Sequence, residues 1–422
     1  MIRFYNGKCL HFSPQLRLTE EEVWIDGGRI AYVGPPKGER PAFTREIDLE
    51  GDLLLPGFKN AHTHTAMTFL RSYADDLPLD AWFNTQVLPQ EAKLTPEKLY
   101  LFTRLGILEY LSSGITASFD MYFHNEAYAR ACIDSGFRSV ICASLNNYDR
   151  DVENIEREYL RFNHLDPLLS YRLGIHAEYT TCLERMEYLV GLAHKYHEPC
   201  YAHLSETEGE VQGCLSRYGK TPPMLLDSLG FFDYGGGGFH CVWMHDEDVA
   251  LFRDKKLWAV TNPCSNLKLA SGVAPLDRLR AAGVPLAIGT DGAASNNALD
   301  FFREMYLASV LQKLTRRDAA AGGADAVLEM ACVGGARAMG LDEADDLAPG
   351  KLADLVVINL KRPNMQPLNH IPRNLVYAGS KENVRLTMVN GRILYENGQF
   401  FVGMDPAEIY AKANEYMQEI RS

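Results

Sequence analysis

Residues 199–206 read PCYAHLSE, a short apolar run set off by Pro199 that ends on His203, with a carboxylate, Glu206, three residues further on. A run of this length and bounding reads as a buried strand. Seven more of the same kind lie on either side: 53–58 (LLLPGF), 115–122 (ITASFDMY), 138–145 (RSVICASL), 171–177 (YRLGIHA), 238–243 (GFHCVW), 258–263 (WAVTNP) and 285–290 (PLAIGT). Amphipathic stretches such as 96–112 and 183–197 separate them. Eight buried strands with helical crossovers predict an α/β protein with a (β/α)8 TIM-type barrel over residues 57–345. An open α/β sheet is the second choice.

The chain ends have another texture. RFYNGKCLHF (3–12), EEVWIDGGRIAYVG (21–34), GKLADLVVINL (350–360) and NVRLTMVNGRILYENGQF (383–400) are short β-like runs, with hairpin turns at Asp26-Gly27-Gly28 and Asn390-Gly391. Neither end has strands enough for a core, so residues 1–56 and 346–422 are expected to pair into one small β-sandwich. A helix over 405–421 belongs to the same unit, with Asp405 as its N-cap and Pro406 at its first turn.

Composition excludes several functions. With 42 basic residues against 55 acidic ones the net charge is −13, and a chain without a basic surface is a poor partner for a nucleic-acid polymer. No apolar run is long enough to span a bilayer, and MIRFYNGKCLHFSPQ lacks the layout of a signal peptide, so no membrane association and a cytoplasmic location are expected. The nine cysteines are scattered without a CxxC pair, which predicts free buried thiols rather than a disulfide framework or thiolate zinc site.

The polar residues of interest fall at strand ends, on the face where barrels build their sites. His62 and His64 in NAHTHT share one face of an extended segment and can share one cation. His203 offers a third imidazole, and Glu206 beside it can hold a proton taken from water that a metal has acidified. His240 in GFHCVW either ligates metal or hydrogen-bonds that water. Asp291 in IGTDGAASNN either completes the metal shell or makes an Asp-Gly turn. His245 lies in a loop and is the weakest candidate. Five separate structural explanations for five strand-end residues are improbable together, which favours a shared site.

With these residues in place, HTHTAMTFLRSYADDLPLDAWF (62–83), VLPQE (87–91), HLSETEGE (203–210), FHCV (239–242), NPCSNLKLASG (262–272) and GTDGAASNN (289–297) resemble the amidohydrolase superfamily. They are most similar to its methylthioadenosine/S-adenosylhomocysteine deaminase branch, with triazine hydrolases and guanine or cytosine deaminases as cousins. The resemblance implies one divalent metal, zinc or sometimes iron, held by His62, His64, His203 and Asp291. Glu206 then corresponds to the proton-shuttling glutamate and His240 to the histidine that steadies the attacking water. The implied reaction is hydrolytic deamination at an amine-bearing ring carbon. His176 stands where two-metal members carry a bridging lysine or glutamate, which implies a single metal.

The resemblance also implies that Glu91 accepts hydrogen bonds from ribose hydroxyls, and that His176 in GIHAEY contacts the base. Trp82 and Phe83 either floor the pocket by stacking or pack in the core. One departure bears on the substrate. Members that take S-adenosylhomocysteine carry an arginine after the third strand, where ICASLNNYDR has Ala143 and Ser144, with Arg150 as a substitute further on. Smaller adenosine derivatives are thereby favoured: adenosine, 5′-deoxyadenosine or methylthioadenosine. The alternatives are a hydrolase of another amino-heterocycle (guanine, pterin, cytosine or triazine) and a non-catalytic scaffold, against which the complete ligand set speaks. A homo-oligomer, dimer or tetramer, is implied by resemblance alone.

Overall fold

The computed structural model describes residues 1–77, 81–149 and 151–421. Eight parallel strands form one sheet in sequential order: Phe58–Thr63, Ile115–Met121, Arg138–Cys142, Leu169–Ala177, Cys200–Leu204, Gly236–His240, Trp258–Thr261 and Leu286–Ile288. The sheet curls until its last strand meets its first. Thr290 N–H and Asp291 N–H both donate to the His62 carbonyl, at 3.1 and 3.0 Å. Asn60 fastens the same seam, donating to Thr290 Oγ1 at 2.7 Å and accepting from Thr290 N–H at 2.8 Å.

The first barrel strand corrects the sequence reading. Leu53–Pro56 lies in the end-domain sheet, antiparallel to Leu355–Ile358, and the barrel begins at Phe58. Lys59 and Asn60 hid this strand from an apolar-run criterion, yet both are fully buried. Lys59 Nζ donates to the Gly57 carbonyl (2.7 Å) and to Thr116 Oγ1 (3.0 Å), which offsets the cost of enclosing an ammonium.

Inside the barrel, Phe119, Tyr201 and Phe239 interlock with ring centroids 4.9, 5.5 and 5.8 Å apart. They fill it as a core and floor the mouth above, where the His62 ring stacks on Phe239 at 4.0 Å. The sixth strand approaches its neighbours closely because it is glycine-rich: a Cβ at Gly237 would stand 2.1 Å from the Trp258 carbonyl oxygen.

The flanking unit has two sheets. Four N-terminal strands form one, and a seven-stranded sheet mixes strands from both chain ends. Phe4, Val23, Ile25, Leu54, Leu355, Val357 and Met388 pack in the core between them. The helix Pro406–Arg421 is capped as expected, with Ala407 N–H donating to Asp405 Oδ1 at 2.9 Å. It packs against the barrel helix Pro96–Ser112. No helix among the described residues is long and apolar enough to cross a membrane. The nine cysteines are free, and all but Cys182 are buried.

Candidate active site

His62 and His64 sit at and just past the end of the first strand, His203 near the end of the fifth, His240 at the end of the sixth, and Asp291 just past the eighth. Ligand atoms of His62, His64 and Asp291 lie within 4.8 Å of one another, as do those of His62, His203 and His240. Asp291 Oδ1 is 3.2 Å from His64 Nε2 and 3.7 Å from His62 Nε2. Its other oxygen, Oδ2, accepts from Ser265 Oγ (2.5 Å) and Ser295 Oγ (2.8 Å), so the carboxylate is held with one oxygen facing the imidazoles.

The histidine tautomers follow from their partners. His64 Nδ1–H donates to the Met121 carbonyl and His203 Nδ1–H to that of His176 (2.7 Å). In the neutral rings each Nε2 therefore carries a lone pair, and the two Nε2 atoms face each other at 3.3 Å. His62 is fully buried with neither ring nitrogen hydrogen-bonded. Buried polar atoms without partners are rare, and lone pairs converging on one another need a cation between them. The donor set, three imidazoles and a carboxylate, suits a divalent transition metal.

Electrostatics divide the imidazoles. Burial drives His62 and His203 well below the ordinary imidazole range and takes His176 down to about 4, so all three are neutral ligands or acceptors. Burial also pulls His64 down, but the Asp291 carboxylate more than reverses this and lifts it to about 9, so a proton competes with a cation for His64 Nε2 and a bound cation displaces it. Asp291 is opposed by its own burial, yet His64 and the neighbouring imidazoles hold it well below the carboxylate range.

Strand ends here are bent sharply. Ser205, His240, Cys241 and Asp291 all have positive φ, between 49° and 76°, at a cost of about 1 kcal/mol or more each. Buried acceptors hold them so. Glu210 takes N–H bonds from Ser205 (2.7 Å) and Glu206 (2.8 Å), and Cys241 N–H donates to the Leu204 carbonyl at 3.1 Å. Burial raises the Glu210 carboxyl to about 8 against the pull of those two N–H groups. Glu206 projects beside His240, with Oε1 3.8 Å from Nδ1.

Glu91 ends the short helix Leu88–Glu91, which continues a π-helical segment, Trp82–Val87, of the kind frequent at functional sites. Its Oε1 accepts from Tyr122 OH at 2.5 Å. Desolvation raises the Glu91 carboxyl to about 7, although the phenol bond works in the other direction. Tyr122 in turn lies 6.0 Å from the His64 ring, which brings Glu91 near the imidazole cluster. His176 stacks on Phe83 (6.1 Å) and lies tilted against His203 (4.7 Å), with Nδ1 bonded to Thr180 Oγ1.

Other candidates are placed elsewhere. Trp82 is buried in the main apolar core, and Phe83 rather than Trp82 meets His176. His245 is exposed and caps the helix Asp246–Lys255 in a capping box with Asp248. Ala143 is buried, Ser144 half-buried, and Arg150 lies outside the described residues. Sequence reasoning assigned no role to Ser265, Asn266, Ser271, Ser295, Glu210 or Tyr122. The first five lie within the strand-end motifs, but uncharged hydroxyl and amide residues and a helix-start glutamate carry no signal of their own.

A barrel whose C-terminal mouth gathers imidazoles and a held carboxylate around one point, with a second carboxylate alongside, is the architecture of a metal-dependent hydrolase. The chain belongs to the amidohydrolase family, whose profile matches residues 53–394. It is a hydrolase acting on C–N bonds. It is 39% identical over 405 residues to a 5-methylthioadenosine/S-adenosylhomocysteine deaminase of Moorella thermoacetica, covering 94% of each chain. It is 40% identical to a 5′-deoxyadenosine deaminase of Methanothermobacter thermautotrophicus, covering 90% of each. Among solved structures, an adenosine deaminase from Xanthomonas campestris with bound zinc superposes with TM-score 0.95 at 33% identity, covering 100% of this chain and 98% of that one. An atrazine chlorohydrolase from Arthrobacter aurescens shares the fold, with TM-score 0.92 at 22% identity over 99% of this chain and 100% of that one.

Proposed function

We propose that this enzyme is a zinc-dependent deaminase that converts adenosine-type nucleosides to the corresponding inosine derivative and ammonia. One observation carries the hydrolytic reading: the Nε2 lone pairs of His64 and His203 meet at 3.3 Å, beside the partnerless His62 ring, with Glu206 near at hand. His62, His64, His203 and Asp291 would hold the cation, which supplies Lewis-acid activation of water. Glu206 takes a proton from the attacking water and passes it to the ring nitrogen beside the amine-bearing carbon. His240 orients that water. The remaining proton of that water passes to the amine, which breaks from the ring carbon as ammonia while the oxygen stays on the ring, so one water is consumed for each amine released.

The adenosine class is supported by the names of the relatives and by Glu91, an acceptor suited to ribose hydroxyls. In this reading His176, neutral and stacked on Phe83, hydrogen-bonds the base. With Ala143 and Ser144 after the third strand, an uncharged 5′ substituent is favoured over an amino-acid tail. A homo-oligomer accompanies this reading and is checked by light scattering.

The test is ammonia release by zinc-loaded protein from adenosine, 5′-deoxyadenosine, methylthioadenosine, S-adenosylhomocysteine, guanine, cytosine and a melamine-type triazine. Fast turnover of the uncharged adenosine compounds supports the reading. Silence on every adenosine compound, with turnover of a free base or triazine, keeps the metal chemistry and overturns the roles of Glu91 and His176.

A further inference from the structure

Three of the groups that surround the reacting centre are gripped by one short piece of chain. After the seventh strand the chain runs through the helix Pro263–Lys268 to a turn at Ser271. Ser265 Oγ donates to Asp291 Oδ2 at 2.5 Å. Asn266 Oδ1 accepts from His240 Nδ1–H at 2.8 Å. Ser271 Oγ donates to Glu206 Oε1 at 3.0 Å. All three side chains are buried. The turn between the last two is closed by Ser271 N–H on the Asn266 carbonyl at 2.8 Å, and Trp243 Nε1–H holds the Ser271 carbonyl at the same distance.

We propose that segment 265–271 is a positioning element that sets the working atom of each group it touches, an inference that rests on the roles given above to Glu206 and His240. Asn266 decides the tautomer of His240. With its amide oxygen against Nδ1, the hydrogen of the neutral ring sits on Nδ1 and the Nε2 lone pair turns toward the other imidazoles. Ser271 decides between the oxygens of Glu206. Its hydroxyl occupies Oε1, the same oxygen that lies 3.8 Å from His240 Nδ1, and leaves Oε2 to take up and return the proton. Ser265 does the equivalent for Asp291 by engaging Oδ2 and leaving Oδ1 toward His62 and His64. Because Asn266 and Ser271 share one hydrogen-bonded turn, the spacing between the water-orienting histidine and the proton shuttle is fixed by that turn.

The experiment compares wild type, Asn266→Ala, Asn266→Asp, Ser271→Ala and the Asn266→Ala/Ser271→Ala double variant as zinc-loaded enzymes. It reads kcat and KM separately, zinc content by mass spectrometry, and the ring-nitrogen resonances of protein labelled with 15N-histidine. The His240 signals are assigned by their loss in His240→Gln. Asn266→Ala is expected to hold its zinc, lose the Nδ1–H tautomer of His240 and drop in kcat on the order of 10- to 100-fold with little change in KM. Asn266→Asp keeps an oxygen acceptor and should restore the tautomer and most of kcat; it also carries the test should the alanine variant not fold. Ser271→Ala should lower kcat likewise, and the double variant should lose less than the product of the two single losses. An unchanged tautomer and kcat in Asn266→Ala, or losses confined to KM, overturns the proposal. Glu206→Gln measured alongside separates the two readings. If it turns over normally, the shuttle assignment fails. If it is dead while both positioning variants behave as wild type, only the positioning element fails.

Discussion

At the residue scale three carboxylates of the site, Asp291, Glu206 and Glu91, each have one oxygen engaged by a hydroxyl group. Glu91 shows the pattern outside the imidazole cluster, since Tyr122 OH occupies Oε1. Tyr122→Phe should let that carboxylate swing, and KM for adenosine should rise about tenfold, the scale of one hydrogen bond to a charged group. KM for 2′,3′-dideoxyadenosine, which lacks both hydroxyls, should stay where it is. Equal effects on the two compounds would remove Tyr122 from ribose recognition. Glu206→Gln should keep its metal and lose turnover, whereas His203→Ala should lose both, as read by metal analysis beside ammonia release.

Glu210 adds a pH effect of definite sign. Its carboxyl is raised to about 8 by burial, whereas in the unfolded chain it ionises near 4.5. Between those values the folded state holds a proton that the unfolded state has released, so this group's stabilising contribution is largest in acid and is lost as pH rises through 8. The thermal midpoint of Glu210→Gln should therefore fall less than that of wild type between pH 5 and 8, a comparison made as a difference by scanning calorimetry.

At the element scale, close approaches of backbone decide what the barrel tolerates. A Cβ at Gly289 would stand 2.5 Å from Asn262 Oδ1 and 2.6 Å from the His62 carbonyl oxygen. Gly289→Ala should thus destabilise the protein by on the order of 1–3 kcal/mol and weaken metal retention, whereas Gly38→Ala, which meets nothing within 4 Å, should be neutral. A thermal midpoint for Gly289→Ala equal to that of Gly38→Ala would mean that the seam can relax. Seven barrel strands were legible because each is a compact apolar run between helices. The first was misplaced because Lys59 and Asn60 interrupt it, and their partners, Thr116 and Thr290, are supplied only by the folded barrel. Strand-end histidines were legible for a geometric reason, since a barrel points such residues at one mouth. Glu210 was not, because by sequence TEGE reads as a helix start. Thr207 Oγ1 does accept from Glu210 N–H at 3.1 Å, but the Glu210 side chain reaches past the cap to the backbone of Ser205 and Glu206.

At the scale of the whole molecule, remote parts bear on the site. The helix Pro406–Arg421 covers Pro96–Ser112 and buries Ile409 and Ile420, and Lys93 Nζ, two residues beyond Glu91, donates to the Ile420 carbonyl at 2.5 Å. Deleting residues 406–422 should lower the thermal midpoint and raise KM more than it lowers kcat, because the Glu91 helix loses its backing. Chelation should also lower the midpoint and metal restore it, since ligand that binds only the folded state stabilises by mass action. A midpoint indifferent to metal would leave the convergent lone pairs unexplained.

The barrel seam gives these effects a common timing. His62 is at once a residue of the imidazole cluster and the carbonyl on which the last strand closes, and Thr63 Oγ1 adds a bond to the Asp291 carbonyl across 228 residues of sequence. Contacts so far apart in sequence carry the steepest loop-closure entropy and form slowly. During refolding from denaturant, a nascent barrel should therefore hold most of its helices and parallel pairing before it can capture a cation. Metal uptake becomes a stopwatch for ring closure, the last gap to shut, rather than a seed around which the chain collapses.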